Sequence, residues 1–390
     1  MELDLRIQNF IGNLNLTHRG WDTAVIVSKV NQYYFMGTMQ DAFLTIDKNG
    51  VRAYFVRRSV ERAMDESPLP GCVYPMNSYR DAAAKNADWG NTFLEFEVVP
   101  YGMLTRMRKY FQMSSLTSVD RMLNKTRSVK TPYELFWTEQ SGKMHDKMMM
   151  EAVPRILREG MSEAEFIGEL KAAMMRYDFQ GWLRFQMFAT EGDVGQIGFG
   201  ENSLYPTNFD GPGGARGNSA AVPVSGSHRR HLKKGDLVFV DVGFGIGGYQ
   251  TDKTQVFSFG AEPESYIKNI HRLCMDIQDN TAAFMVPGAV PSQIYAEIMA
   301  TLRQEDLVNF MGFGRRSVKF LGHGVGLYID EYPVIAKGFD EPLAENMVIA
   351  LEPKKGIAGV GMVGVEETYV IEAGGARALT GGNREILVVK

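Results

Sequence analysis

Two apolar hairpins that each carry opposed acidic residues constrain this chain more than anything else in it. Residues 237–257 are a run of β-branched and aromatic residues broken by Gly245, Gly247 and Gly248, with Asp241 before the break and Asp252 after it. The glycines supply turn chemistry and the flanks are strand formers. A turn centred on Ile246–Gly247 would oppose the aspartates directly, with Cβ atoms roughly 5 Å apart. Leu237 and Phe239 share a face with Asp241, while Val238, Val240 and Val242 cover the other, so both faces are apolar and the strand is expected to be buried. Two anions at that spacing repel by roughly 3 kcal/mol at an effective dielectric of about 20. A favourable cross-strand pair returns only about 0.2–1 kcal/mol. Something must neutralise the pair, and a metal cation is the simplest answer.

The arrangement recurs near the C-terminus. Residues 347–353 and 363–371 are apolar runs around Gly356, Gly359 and Gly361, and a turn centred on Gly359 opposes Glu352 and Glu366. Between the two hairpins lies His323, flanked by Gly322, Gly324 and Gly326, which let backbone approach closely and leave the imidazole accessible. Four carboxylates and one imidazole form a hard, oxygen-rich set suited to one or two divalent ions such as Mn, Co, Fe or Zn. His323 or Glu366 alone would be an ordinary core residue; the conjunction points to metal.

The rest of the chain fits two domains. Strand patterns at 23–28, 42–47, 51–56 and 92–96, with helical ones at 58–65, 78–88 and 100–110, predict a small α/β domain over residues 1–123. Residues 124–131 are polar and read as a linker, and residues 132–390 as a second domain. Pro132 opens a long helical pattern to about residue 158. Ser162 and Glu165 make a capping box for the next, to about residue 177. The Gly- and Asn-rich stretch 191–218 reads as a functional or mobile loop too polar for core. Helices at about 262–284 and 291–304 and strands at 347–352 and 364–371 complete an α+β class, a curved antiparallel sheet backed by helices. Net charge is -4 with no basic patch, which argues against nucleic acid. Two cysteines without thiolate metal spacing, no basic-then-apolar leader and no apolar stretch of membrane length point to a cytoplasmic chain with no membrane partner.

These motifs resemble one family. Val240-Asp241, Gly248-Tyr249, Asp252 and Thr254, then Gly322 to Leu327 around His323, then Glu352-Pro353, then Val365 to Thr368 are similar to the pita-bread metallopeptidases, in the Xaa-Pro dipeptidase and aminopeptidase P branch. Residues 1–123 resemble the creatinase-type N-terminal domain. The resemblance implies Asp241, Asp252, His323, Glu352 and Glu366 as ligands of two divalent metal ions, Mn first, with Co, Zn or Fe as alternatives. Glu367 is the neighbouring alternative to Glu366. It also implies hydrolysis of an N-terminal peptide bond by a water bridging the two ions, with Glu352 as general base and His323 in the catalytic set. A homodimer is expected on the same ground.

The chain departs from that family where substrate is gripped. Val224 and Asp330 stand where histidines are usual, Gly364 where an arginine is usual, and Lys354 follows the Glu-Pro pair in place of glycine. A lost donor of this kind costs on the order of 2.7–4 kcal/mol in the transition state, so weak activity on ordinary Xaa-Pro dipeptides is expected. Asp330, Thr254 and Lys354 are the substrate-binding candidates: Asp330 for a cationic group, Thr254 for positioning Asp252 or water, Lys354 (with Lys355) for a carboxylate. His228 and His231 read as a solvated basic loop rather than as replacements. Two other readings stand beside the exopeptidase: a metal-dependent hydrolase or lyase of a small non-peptide molecule, as creatinase shows for this fold, and a non-enzymatic binding protein.

Overall fold

The computed structural model of the protein describes residues 2–390, which form two compact units, the first ending at residue 127 and the second running over 128–390. The first unit is built on a six-stranded mixed sheet. Its strand order is 73–75, 50–58, 41–47, 23–26, 91–94, 115–118, antiparallel in the two pairings made by 41–47 and parallel at both flanks. Phe43, Phe55, Trp89 and Phe111 fill its core, with Trp89 stacked on Phe111 at 3.8 Å between ring centroids. A helix over Glu2–Thr17, absent from the sequence reading, buries Leu3, Ile7, Phe10, Ile11 and Leu14. That spacing is a helical stripe and was legible in principle.

The boundary between the two units falls within residues 124–131, which are mostly helical. The helix Asp120–Ser128 runs through most of them, and Thr126, Arg127 and Ser128 are buried. Polar composition is compatible with that burial because the polar atoms are bonded: Thr126 Oγ1 donates to Met122 O at 2.7 Å and Arg127 Nη1 to Asn31 Oδ1 at 2.6 Å.

The second unit holds a four-stranded sheet in the order 387–389, 249–259, 237–246, 195–199 and a five-stranded sheet in the order 331–336, 320–324, 348–351, 367–372, 375–378. The short hairpin 354–357/361–364 continues from the second sheet, and the bridge Thr254–Glu366 ties the two sheets together. Helices Pro132–Glu151 and Glu163–Arg176 pack Met148, Met149, Phe166 and Leu170 against Val238, Val240 and Val242. The opposite face of that strand carries Leu237, Phe239 and Asp241, so the two-residue alternation places the aspartate away from the helices. The expected capping box of Ser162 with Glu165 forms, and Thr131 makes a second with Glu134 ahead of Pro132.

The Gly- and Asn-rich stretch hides a strand. Gly195–Phe199 pairs antiparallel with residues 238–242, and Val194, Ile197 and Phe199 are buried. Gly195 and Gly198 dilute the apolar pattern because neighbouring backbone comes close there; a Cβ on Gly198 would lie 2.6 Å from Ser203 Cα. Among the described residues, no helix is long and apolar enough to cross a membrane.

Candidate metal centre

The first acidic hairpin turns on Gly247 and Gly248, both with positive φ (62° and 97°), not on Ile246–Gly247. Ile246 pairs with Tyr249, so Asp241 faces Thr254 and Asp252 faces Gly243. The aspartates are diagonal neighbours, not direct partners, a separation of about 7–8 Å across a sheet. Two consecutive left-handed residues favour the tight turn, and glycine takes them without strain. Both carboxylates still share one face, because moving a pairing by two residues preserves side-chain parity. Thr254 fills the place opposite Asp241: its Oγ1 lies 2.9 Å from Asp241 Oδ1 and 3.0 Å from Glu366 Oε2.

The second hairpin keeps the register expected of a turn at Gly359. Lys354 pairs with Gly364 on one side and Leu351 with Glu367 on the other, which sets Glu352 against Glu366 between them. His323 comes from the strand Phe320–Gly324, paired with Ala350. Gly322 makes that approach feasible, since a Cβ there would lie 2.1 Å from Ala350 O. His323 Nδ1 lies 3.0 Å from the Gly324 carbonyl, so that nitrogen carries a proton and Nε2 is the one turned to the carboxylates. Nε2 is 3.5 Å from Glu352 Oε1 and 3.8 Å from Glu366 Oε1.

Lys354 is not poised for a substrate carboxylate. Its fully buried Nζ donates to Asp241 Oδ2 at 3.0 Å, Glu352 Oε2 at 2.8 Å and Glu366 Oε2 at 2.7 Å. The side chain following the Glu-Pro pair therefore enters the acidic cluster itself. On a strand that pairs inward, its long stem has nowhere else to go.

Burial dominates the electrostatics. It pushes the Asp241 carboxyl up to about 7, with Lys354 opposing and Glu366 reinforcing the rise. Asp252 is driven well above the usual carboxylate range by burial and then by Glu366 and Asp241. Glu352 is raised by burial against the pull of Lys354 and His323. For His323 burial works against the charged form, yet Glu352 and Glu366 outweigh it and the net shift is upward. Lys354 is likewise held well above its usual range, because three carboxylates outweigh its burial.

Donor atoms of Asp252, His323 and Glu366 lie within 4.8 Å of one another. Glu366 Oε1 is buried without a hydrogen-bond partner. A buried unpaired carboxylate oxygen is costly unless a cation or donor completes it. This side of the cluster fits a divalent ion. The side formed by Asp241, Glu352 and Glu366 is already bridged by the Lys354 ammonium.

The other sequence candidates lie elsewhere. Asp330, which was expected to select a cationic group, accepts from the backbone N–H of Gln186 at 2.6 Å and of Met187 at 3.1 Å. Its carboxylate is occupied in fixing a loop. Asp330→Ala is expected to raise amide hydrogen exchange across residues 184–193 while leaving exchange in the strand 237–246 unchanged; equal protection in that loop would contradict this role. Lys355 Nζ donates to the carbonyls of Glu305, Asp306 and Val308, and His231 Nδ1 to Gly160 O at 2.8 Å. Glu367 turns from the cluster to pair with buried Lys253 and Thr380. Gly364 adopts φ 130°, and a Cβ there would lie 2.4 Å from Pro353 O, so no arginine fits without moving the hairpin. Val224 lines a cavity of 540 Å³ with Trp182, Leu183, Phe185, Val222 and Tyr328.

Comparison with known proteins agrees with this geometry. Residues 137–373 match the metallopeptidase family M24, and residues 6–129 match the creatinase/prolidase N-terminal domain. The chain is 26% identical over 368 residues to an Xaa-Pro dipeptidase of Pyrococcus furiosus, covering 94% of this chain and 95% of that protein. Its structure resembles a prolidase from Pyrococcus horikoshii, with TM-score 0.79, 22% identity and coverage of 98% and 100%. It also resembles an X-Pro aminopeptidase from Thermotoga maritima, with TM-score 0.76, 22% identity and coverage of 95% and 98%. With a matching domain over more than half its length and a creatinase/prolidase domain in front of it, the chain belongs to metallopeptidase family M24.

Proposed function

We propose that this chain is a divalent-metal-dependent exopeptidase of the Xaa-Pro dipeptidase and aminopeptidase type, hydrolysing N-terminal bonds of short peptides with altered specificity. The observation that carries the reading is the convergence of Asp252, His323 and Glu366 around an unpaired buried carboxylate oxygen, with Glu352 alongside. Asp252, His323 Nε2 and Glu366 would hold the ion. When bound, such an ion polarises the scissile carbonyl and makes water a competent nucleophile near neutral pH.

The chain's own groups do the remaining work. Glu352 takes the proton of the attacking water and returns it to the leaving amine, a role that suits a carboxyl raised by burial. Thr254 orients Asp241 and Glu366, and Gly324 O fixes the His323 tautomer. The mainly apolar cavity beside Val224 supports acceptance of an apolar side chain in place of a histidine-gripped proline substrate. Mn is the first choice of metal for so oxygen-rich a set, ahead of Co, Zn and Fe. The two-ion occupancy expected from the family resemblance is the aspect that Lys354 alters. A cytoplasmic homodimer completes the reading, to be checked by light scattering on the purified chain.

The test is a panel of Xaa-Pro and non-proline dipeptides and small amides, run with Mn, Co, Zn and Fe after chelation. Peptide cleavage restored by a divalent ion, faster on apolar non-proline peptides, is expected. Hydrolysis confined to small amides would replace the exopeptidase with the non-peptide reading, and no turnover under any metal would leave the binding-protein reading.

A further inference from the structure

We infer that the Lys354 ammonium stands in place of one of the two cations that the acidic cluster would otherwise hold, so that the centre takes a single divalent ion through Asp252, His323 and Glu366. This rests on the metal-dependent reading above and refines it. An ammonium has three N–H bonds, and here each reaches a different carboxylate, at 2.7, 2.8 and 3.0 Å. No hydrogen is left to donate to a substrate. The contacts use Asp241 Oδ2 and the Oε2 atoms of Glu352 and Glu366; Oε1 of each glutamate points to the His323 side.

Lys354 has no simple way out of the cluster. Its strand is paired with 361–364, and the partner Gly364 packs so close that a Cβ there would lie 2.6 Å from Lys354 Cα. The Phe239 ring lies 5.8 Å from Nζ. A first-row divalent ion draws carboxylate oxygens to about 2.0–2.2 Å, closer than these N–O contacts, so an ion and this ammonium cannot share the space. On the other side the donor set remains open: Asp252, His323 Nε2 and the unpartnered Glu366 Oε1. Lys354 is thus a positioning residue, which holds Asp241, Glu352 and Glu366 as a second cation would while leaving one ligand pocket vacant for metal.

The full chain, stripped with chelator and dialysed against excess Mn²⁺, should retain one ion per chain by elemental mass spectrometry. Lys354→Met, which keeps the stem and removes the charge, should retain two, and its unfolding midpoint should rise with Mn²⁺ more than the parent's. Two ions in the parent, or one in both proteins, would overturn the inference. No ion in either protein would instead remove the metal-dependent reading on which it stands. If Lys354→Met does not fold, the parent decides alone: its bound Mn²⁺ should give the hyperfine spectrum of an isolated ion, and an exchange-coupled pair would refute the single-ion centre.

Discussion

His323→Ala will lower peptide hydrolysis by about 10³-fold and abolish retention of a divalent ion through dialysis. Among the described residues the imidazole is the nitrogen donor that joins the carboxylates of the cluster, and its Nε2 faces Glu352 and Glu366 because Nδ1 is committed to Gly324 O. Removing it leaves Asp252 and Glu366 to hold an ion by carboxylate alone. Loss of a polarising cation forfeits several kcal/mol of transition-state stabilisation, and each 1.36 kcal/mol is tenfold in rate. Steady-state rates and metal content should be measured on the same preparation. A variant that keeps both near the parental values would show that the imidazole is not a ligand. The fold should survive, since His323 belongs to none of the apolar clusters of the second unit that surround it.

Lys253→Met will destabilise the second unit by about 3–5 kcal/mol, the cost of leaving a buried charge without its partner. Lys253 is wholly buried and paired with buried Glu367, while its Nζ also donates to the Thr380 carbonyl at 2.9 Å. Burial raises the Glu367 carboxyl to about 7, with Lys253 the main opposing influence. Adding Glu367→Gln to Lys253→Met should restore much of the loss, because the uncompensated acid is then gone. Urea unfolding of the parent, both single variants and the double variant measures the coupling. Additive single effects would mean that the pair is not one energetic unit.

Much of the centre was legible because apolar strands tolerate acids only for a reason. The Glu352–Glu366 register followed from a glycine turn, and the facing of Asp241 from two-residue alternation. The register of the first hairpin was missed by one turn position, since Gly247 and Gly248 together make a better two-residue turn than Ile246–Gly247. Four features escaped for physical reasons. Lys354 looks like an exposed turn lysine until the strand pairing shows that its stem points inward. Lys253 was unremarked because its partner Glu367 lies 114 residues away in sequence. The strand Gly195–Phe199 was hidden by glycines that serve close packing, and the helix Asp120–Ser128 by polar residues whose bonds are made internally.

The bridge between Thr254 and Glu366 has a consequence for robustness. It is the seam at which two separately hydrogen-bonded β-layers meet, and the candidate ligands Asp252 and His323 lie on opposite sides of it. A captured cation would therefore act as a rivet through two plates, and its binding free energy would be spent on holding the layers in register as well as on chemistry. Starving the protein of metal would loosen the joint before it melted either plate.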